Sequence, residues 1–248
     1  ARGRLALGSL DPFAEGLTPL LRGDIIHDAL KLLYADLPSQ GAIRDWTEAD
    51  LSRRVDAAAR NAIRRHRVAA GSTLERLLDF EELRVATLLR EVIDVDRERS
   101  AFRVLSVEGT SSGVVGGVTL SLRHDRLDTD DDGSIMILDY KTGTRKRFLD
   151  KGEPRDYQLV VYAATADGRV SDIGLYNVDR REVGIDGVGT TLSADDDFEE
   201  HLAAWIRVVE YAAASLRKGD IRVNIAQPGT DARWHALLSR FQELVRHV

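Results

Sequence analysis

Apolar residues recur at helical spacing through the first hundred positions, then give way to short, β-branched apolar runs. Ile26, Ala29, Leu30 and Leu33 lie three or four apart and predict a helix over 24–34, entered through an irregular segment with Gly and Pro punctuation. Residues 38–45 read as a turn. Thr47-Glu48-Ala49-Asp50 has the form of a capping box, with a side-chain oxygen at the cap and a carboxylate three residues on, and predicts a helix to about Ala70, ended by Gly71. Ser72-Thr73-Leu74-Glu75 is a second such box, opening a helix apolar at Leu74, Leu77, Leu78, Val85, Leu88, Leu89 and Val92. Near Ala101 the period changes. Phe102, Val104 and Val107 predict a strand, the Gly-, Ser- and Thr-rich segment 109–113 a turn, and 114–122 the returning strand. An acidic turn follows over 128–133. The nearly continuous apolar run 134–140 has the character of a strand buried on both faces. A helix over 157–166, a strand over 170–178 with 181–185 extending the sheet, a long amphipathic helix over 198–216 and a last helix over 234–245 complete the pattern.

That order predicts one α/β domain: a helical lobe over about 1–100, a catalytic sheet core over about 101–190 and C-terminal helices over about 191–248. At 248 residues one large mixed domain is the default. The chain begins with Ala rather than Met, and the expectation is a domain cut from a longer polypeptide. No internal repeat or low-complexity linker interrupts it.

Composition narrows the chemistry. Hydrophobic residues make up 43% and charged residues 31%, as in ordinary globular proteins. No run approaches the roughly 18 apolar residues of a membrane span, so no membrane partner is expected. Cysteine is absent, which excludes disulfides, iron–sulfur clusters and Cys-ligated zinc. The net charge of −6 counts mildly against a simple nucleic-acid-binding module, for which a basic excess is usual. Local basic clusters exist at Arg53-Arg54, Arg60, Arg64 to Arg67 and Arg145 to Arg147, and read either as solvated helix faces or as a phosphate track.

The chemistry sits in Asp125-Arg126-Leu127-Asp128 and Asp139-Tyr140-Lys141-Thr142-Gly143. Residues i and i+2 of a strand share a face, so Asp139 and Lys141 project together, and a paired strand brings Asp125 beside them. Mg²⁺ needs one or two carboxylates plus water and phosphate oxygens. A neighbouring lysine can orient the attacking water or balance charge at phosphorus. Taken alone, the D-x-K triplet fits an ordinary surface hairpin equally well.

The flanking residues extend the pattern. Gly23 to His27 supplies Gly-x-x-x-His on a helix, the D-R-hydrophobic-D element and D-Y-K-T-G follow, and Gln158 with Tyr162 supplies Q-x-x-x-Y on a later helix. In order and spacing this set resembles the PD-(D/E)XK nuclease superfamily, and in particular RecB-like and AddB-type nuclease domains, over about Leu20 to Tyr176. The resemblance implies a restriction-endonuclease-like core, a mixed central sheet flanked by helices, with an N-terminal helical lobe. It implies a Mg²⁺- or Mn²⁺-dependent deoxyribonuclease, an exonuclease, in a recombination or repair machine with a helicase subunit or helicase-like domain, cytoplasmic and nucleoid-associated. It implies His27, Asp125, Asp139 and the Tyr140 backbone carbonyl as metal ligands, Lys141 as the catalytic lysine, and Gln158 and Tyr162 as site-lining DNA contacts. Glu108 corresponds to an acidic residue that some relatives carry before the hairpin. Two departures stand out. The iron–sulfur cysteines of many AddB-type domains are missing, and His124 stands where an apolar residue is usual, either as a harmless substitution or as an extra polar group near the metal. The alternative is a silent nuclease fold kept as a DNA-binding or scaffolding module.

A competing motif runs through the acidic turn. Asp128, Asp130, Asp132, Gly133 and Asp139 fit the spacing of a Ca²⁺-binding loop. Such loops lie between helices, however, and here both flanks read as strands. Met136 at the ninth position offers no oxygen. Asp128, Asp130 and Asp132 are therefore assigned to the turn, not to a metal.

Overall fold

The computed structural model describes residues 17–67, 72–144 and 146–220. Four helices come first: α1 (Pro19–Leu33), α2 (Gln40–Asp45), α3 (Glu48–Arg67) and α4 (Ser72–Glu98). The starts of α1, α2 and α3 have local causes. Thr18 Oγ1 caps α1 by accepting the Leu21 N–H at 3.2 Å, and Pro19 follows, where its missing N–H costs nothing. Thr47 accepts the Asp50 N–H at 3.2 Å and donates to its carboxylate at 2.7 Å, so the first capping box forms as expected. The side chains of the second box, the Gly71 stop and the expected helix over 234–245 lie outside the described residues. The segment 38–45 is not a plain turn. Ser39 caps the Ala42 N–H at 3.2 Å and starts α2, short enough to be hidden within turn-forming composition.

The sheet has the order β1-β2-β3-β6-β7, with β1 (Arg103–Val115), β2 (Val118–Thr129), β3 (Ile135–Thr142), β6 (Val170–Asp179) and β7 (Glu182–Gly189). All neighbours are antiparallel except β3 and β6, which run parallel. A parallel pair requires a crossover. It is made by a small two-stranded ribbon, β4 (Leu149–Asp150) with β5 (Glu153–Pro154), and by α5 (Gln158–Ala164). Helix α6 (Phe198–Arg217) follows β7.

Side chains alternate along β3. Met136, Leu138 and Tyr140 join a core built with α1 to α4, whereas Ile135 and Ile137 join a second core with α5 and α6. The sheet is thus covered on both faces, which is why β3 reads as an unbroken apolar run. A mixed central sheet flanked by helices, with a helical N-terminal lobe, is the expected architecture.

The first hairpin departs from expectation. The turn predicted at 109–113 lies inside β1, and the chain reverses at Gly116-Gly117 (φ 56° and 80°), between the paired Val115 and Val118. Two consecutive positive φ angles are what a two-residue hairpin turn of the favoured hand requires. Gly109 and Gly113 serve a different need, close approach. A β-carbon on Gly109 would lie 2.5 Å from the His124 ring, and one on Gly113 2.5 Å from Thr165.

Candidate active site

The site lies where β2 and β3 part. Their ladder runs from Thr129↔Ile135 to Arg126↔Leu138 and stops there, just short of Asp125 and Asp139. Asp125 Oδ2 takes the Tyr140 N–H at 2.7 Å. Strand β2 also turns its faces over here. Leu120 and Leu122 pack in the α5/α6 core, yet Arg126, which an unbroken strand would aim the same way, lies 4.3 Å over the Tyr34 ring in the other core. Strand β1 is irregular at the same level. Its register slips between Val104 and Ser106, and Glu108 adopts φ 52°, a conformation that costs a non-glycine residue of order 1 kcal/mol or more.

That backbone aims Glu108 at α1. Glu108 Oε1 lies 2.7 Å from His27 Nδ1, and its Oε2 lies 2.6 Å from an Arg123 nitrogen. His27 Nδ1 is also 3.8 Å from Asp125 Oδ1. Each of His27, Glu108 and Asp125 offers a ligand atom within 4.8 Å of the others, and among the described residues this is the group that fits a metal ion. The His27 ring meets Tyr140 edge-on, with centroids 5.8 Å apart.

Asp139 and Lys141 project together at the end of β3, with Lys141 Nζ 2.5 Å from Asp139 Oδ2. Apart from that ammonium, Asp139 Oδ2 is buried and accepts no hydrogen bond. Asp139 is near enough for its charge to act on both Asp125 and His27, but it stands outside the tight three-residue group. Gln158 donates to the Tyr162 hydroxyl at 2.6 Å, and that hydroxyl donates to the Arg123 carbonyl at 2.5 Å. The Q-x-x-x-Y pair is thereby tied to β2 two residues before Asp125.

The electrostatics are unbalanced. Burial, then the Asp139 carboxylate, pushes the Asp125 pKa up to about 7. Burial opposes charge on His27, but its hydrogen bond to Glu108 and the carboxylates around it raise its pKa above the ordinary value. Burial likewise works against the Glu108 carboxylate, yet the bond and charge of His27, with Arg123, outweigh it and hold Glu108 below the usual range. A carboxyl that resists ionisation, a second carboxylate that does not, and an imidazole between them are a donor set that suits a hard divalent cation, which binds as it displaces their protons. The residues present therefore fit such an ion.

One sequence reading changes: Asp128 is not a turn residue. It is fully buried in β2, receiving Arg126 Nε at 2.7 Å and Arg99 Nη2 at 2.8 Å. Asp130 does belong to the turn, accepting the N–H groups of Asp132 and Ser134 at 3.0 and 2.8 Å. His124 is buried against Ser106 Oγ at 2.9 Å, and burial lowers its pKa. The basic run on α3 is largely spoken for: Arg53 pairs with Asp50, Arg54 with Asp36, Arg60 with Glu82, and Arg65 and His66 with Asp28. Glu108 is the least legible of these residues in the sequence, because its position depends on a backbone irregularity that composition does not announce.

A family model described as the PD-(D/E)XK nuclease superfamily matches residues 4–228. A solved structure titled "Crystal structure of SSO0001" is similar at 15% identity, covering 79% of this chain and 74% of that chain, with a TM-score of 0.28, too low to bear on the fold. No curated protein matches.

Proposed function

The chain belongs to the PD-(D/E)XK nuclease superfamily, and on that premise we propose that it is a Mg²⁺- or Mn²⁺-dependent deoxyribonuclease. We infer an exonuclease of a recombination or repair system that includes a helicase subunit or helicase-like domain, working at the nucleoid in the cytoplasm. The observation that carries the reading is the meeting of His27, Glu108 and Asp125 beside the Asp139–Lys141 pair. The motif order supports the RecB-like and AddB-type assignment, without the iron–sulfur cluster. No described helix is long and apolar enough to cross a membrane.

His27, Asp125, Asp139 and the Tyr140 carbonyl would hold the ion, and the geometry adds Glu108 to that set. A divalent ion there supplies polarisation of the phosphoryl oxygen and a lowered pKa for bound water. Lys141 Nζ, poised beside Asp139, orients the water or balances the charge that develops at phosphorus. Gln158 and Tyr162 line the site and contact the DNA strand.

The test is cleavage of end-labelled linear and circular DNA with Mn²⁺, Mg²⁺ or chelator. Lys141→Ala is expected to lose about 10²- to 10⁴-fold in rate while keeping its fold, and linear DNA to be degraded in preference to circular. Wild-type protein that cuts no DNA with either metal would sink the enzyme reading. DNA binding without cleavage, unchanged in Asp139→Ala, would instead favour a silent binding module, the reading to which the net charge of −6 and the paired arginines of α3 lean.

A further inference from the structure

We propose that Arg123 is a substrate-binding residue of this site, a phosphate clamp that Glu108 holds in reserve until a divalent cation takes Glu108 over. The inference rests on the nuclease reading above and deepens it.

The two side chains of the Arg123–Glu108 pair are in different surroundings. The Glu108 side chain is 3% exposed and the Arg123 side chain 66% exposed. Glu108 is gripped from both sides, by His27 through Oε1 and by Arg123 through Oε2. A cation bound by His27, Glu108 and Asp125 needs a Glu108 oxygen, so it competes with Arg123 for the same carboxylate. Arg123 is the member of the pair that can leave, because its guanidinium lies largely in water. Its backbone cannot follow. It is paired with Thr110 across the hairpin, and its carbonyl accepts the Tyr162 hydroxyl. The released guanidinium therefore stays beside the carboxylates and next to Tyr162, where the DNA backbone must pass to reach Asp125. A planar, permanently charged fork matches phosphate oxygens, and Arg123 lies mostly in water, where it can leave once a cation takes its place on the buried carboxylate.

This arrangement couples cation and DNA. Cation binding frees Arg123 for phosphate, and phosphate binding draws Arg123 away and leaves Glu108 to the cation. By linkage each favours the other equally. A purely structural pair would have no such sign.

The test compares Arg123→Ala and Arg123→Lys with the parent, all in the Lys141→Ala background so that DNA survives. Mn²⁺ affinity is read without DNA by electron paramagnetic resonance, and DNA affinity by fluorescence anisotropy across a salt series. Arg123→Ala is expected to bind Mn²⁺ up to about fivefold more tightly, since Glu108 loses a competing exposed ion-pair partner. It is expected to bind DNA more weakly, with the slope of log affinity against log salt smaller by about 0.7 to 0.9, the signature of one lost phosphate contact. Arg123→Lys should restore the salt slope and only part of the affinity, because an ammonium lacks the bidentate fork. Mn²⁺ and DNA affinities that fall together would mean that Arg123 merely braces the hairpin, and the inference fails. Affinities that both stay unchanged would reduce the pair to an idle surface contact and overturn the inference as well. The parent chain with Lys141 intact separates the two levels. If it cuts DNA and Arg123→Ala shows no opposed shifts, only this inference falls. If it cuts nothing, the nuclease reading falls too.

Discussion

Two charge clusters share α1 and β2 and are built to opposite rules. One is the His27–Glu108–Asp125 site with Asp139 and Lys141. The other lies one residue further along β2, where Arg126 and Asp128 meet Asp96 and Arg99 from the end of α4. In that second cluster charges balance. Asp96 receives Arg126 at 2.8 Å, Arg99 at 3.0 Å, the Tyr34 hydroxyl at 2.6 Å and the Tyr176 hydroxyl at 3.3 Å. Burial alone would raise its pKa, but the two guanidinium charges outweigh it and leave Asp96 below the ordinary value. Asp125 has no guanidinium and is pushed up to about 7. The comparison separates two uses of a buried carboxylate. One is satisfied inside the fold and ties α1, α4, β2 and β6 together. The other keeps its carboxyl group buried beside a second carboxylate, with no guanidinium to offset either effect.

The largest effect is expected where balance is broken. Arg126→Ala leaves two buried carboxylates, Asp96 and Asp128, to Arg99 alone, and removing one partner of a buried pair costs about 3–5 kcal/mol. Urea unfolding should show that loss with an unchanged slope. Arg126→Ala that unfolds at the wild-type midpoint would mean that water reaches the cluster and that the two regions do not differ in kind.

A smaller effect is expected from pH, and its sign distinguishes the clusters. The raised Asp125 pKa means that the folded state holds a proton that the unfolded chain gives up near pH 4. Stability in chelator should therefore fall as pH rises from about 4 to about 7, by on the order of 2 kcal/mol, and level off above. His27, with its raised pKa, adds in the same sense, its contribution being lost as pH climbs through its folded value. The lowered Asp96 and Glu108 act oppositely, but only below about pH 4.5, where they begin to protonate. Mn²⁺ should flatten the fall, and Asp125→Asn should remove most of it. A curve in chelator that rises between pH 4 and 7 would contradict this account.

The contrast also explains what the sequence could show. His27, Asp125, Asp139 and Lys141 are legible because their spacing follows the strand and helix periods that position them, and the family match agrees with the class of chemistry they imply. The α3 start and the β3 strand are legible for the same reason. Arg126 and Asp128 are not, since a charged pair beside an acidic turn looks solvated, and only tertiary packing buries it. Glu108 reaches the site through a register slip and a φ of 52°, which no periodicity encodes. The glycines of 109–113 look like a turn because turns and close packing select the same residue. What separates them is His124 and Thr165, which press on that strand from β2 and from the end of α5.

The finest test uses one helix that serves both clusters. His27 and Tyr34 are seven residues apart, two turns of α1, with His27 facing Glu108 and Tyr34 facing Asp96. Tyr34→Phe removes one donor from a carboxylate that keeps two guanidinium partners and the Tyr176 hydroxyl. It should lower stability by about 1.5–3 kcal/mol, the worth of a hydrogen bond to a charged group, and leave cleavage near wild type. His27→Ala should do the reverse. It removes a partly exposed partner from Glu108, which keeps Arg123, so unfolding should shift by no more than about 1 kcal/mol while metal-dependent cleavage collapses. Both substitutions lie on the same helix face, so any general loosening of α1 would affect stability and cleavage together in both variants. Opposed outcomes, read by thermal unfolding and DNA cleavage on the same preparations, require that the satisfied cluster carries the fold and the unsatisfied one the chemistry.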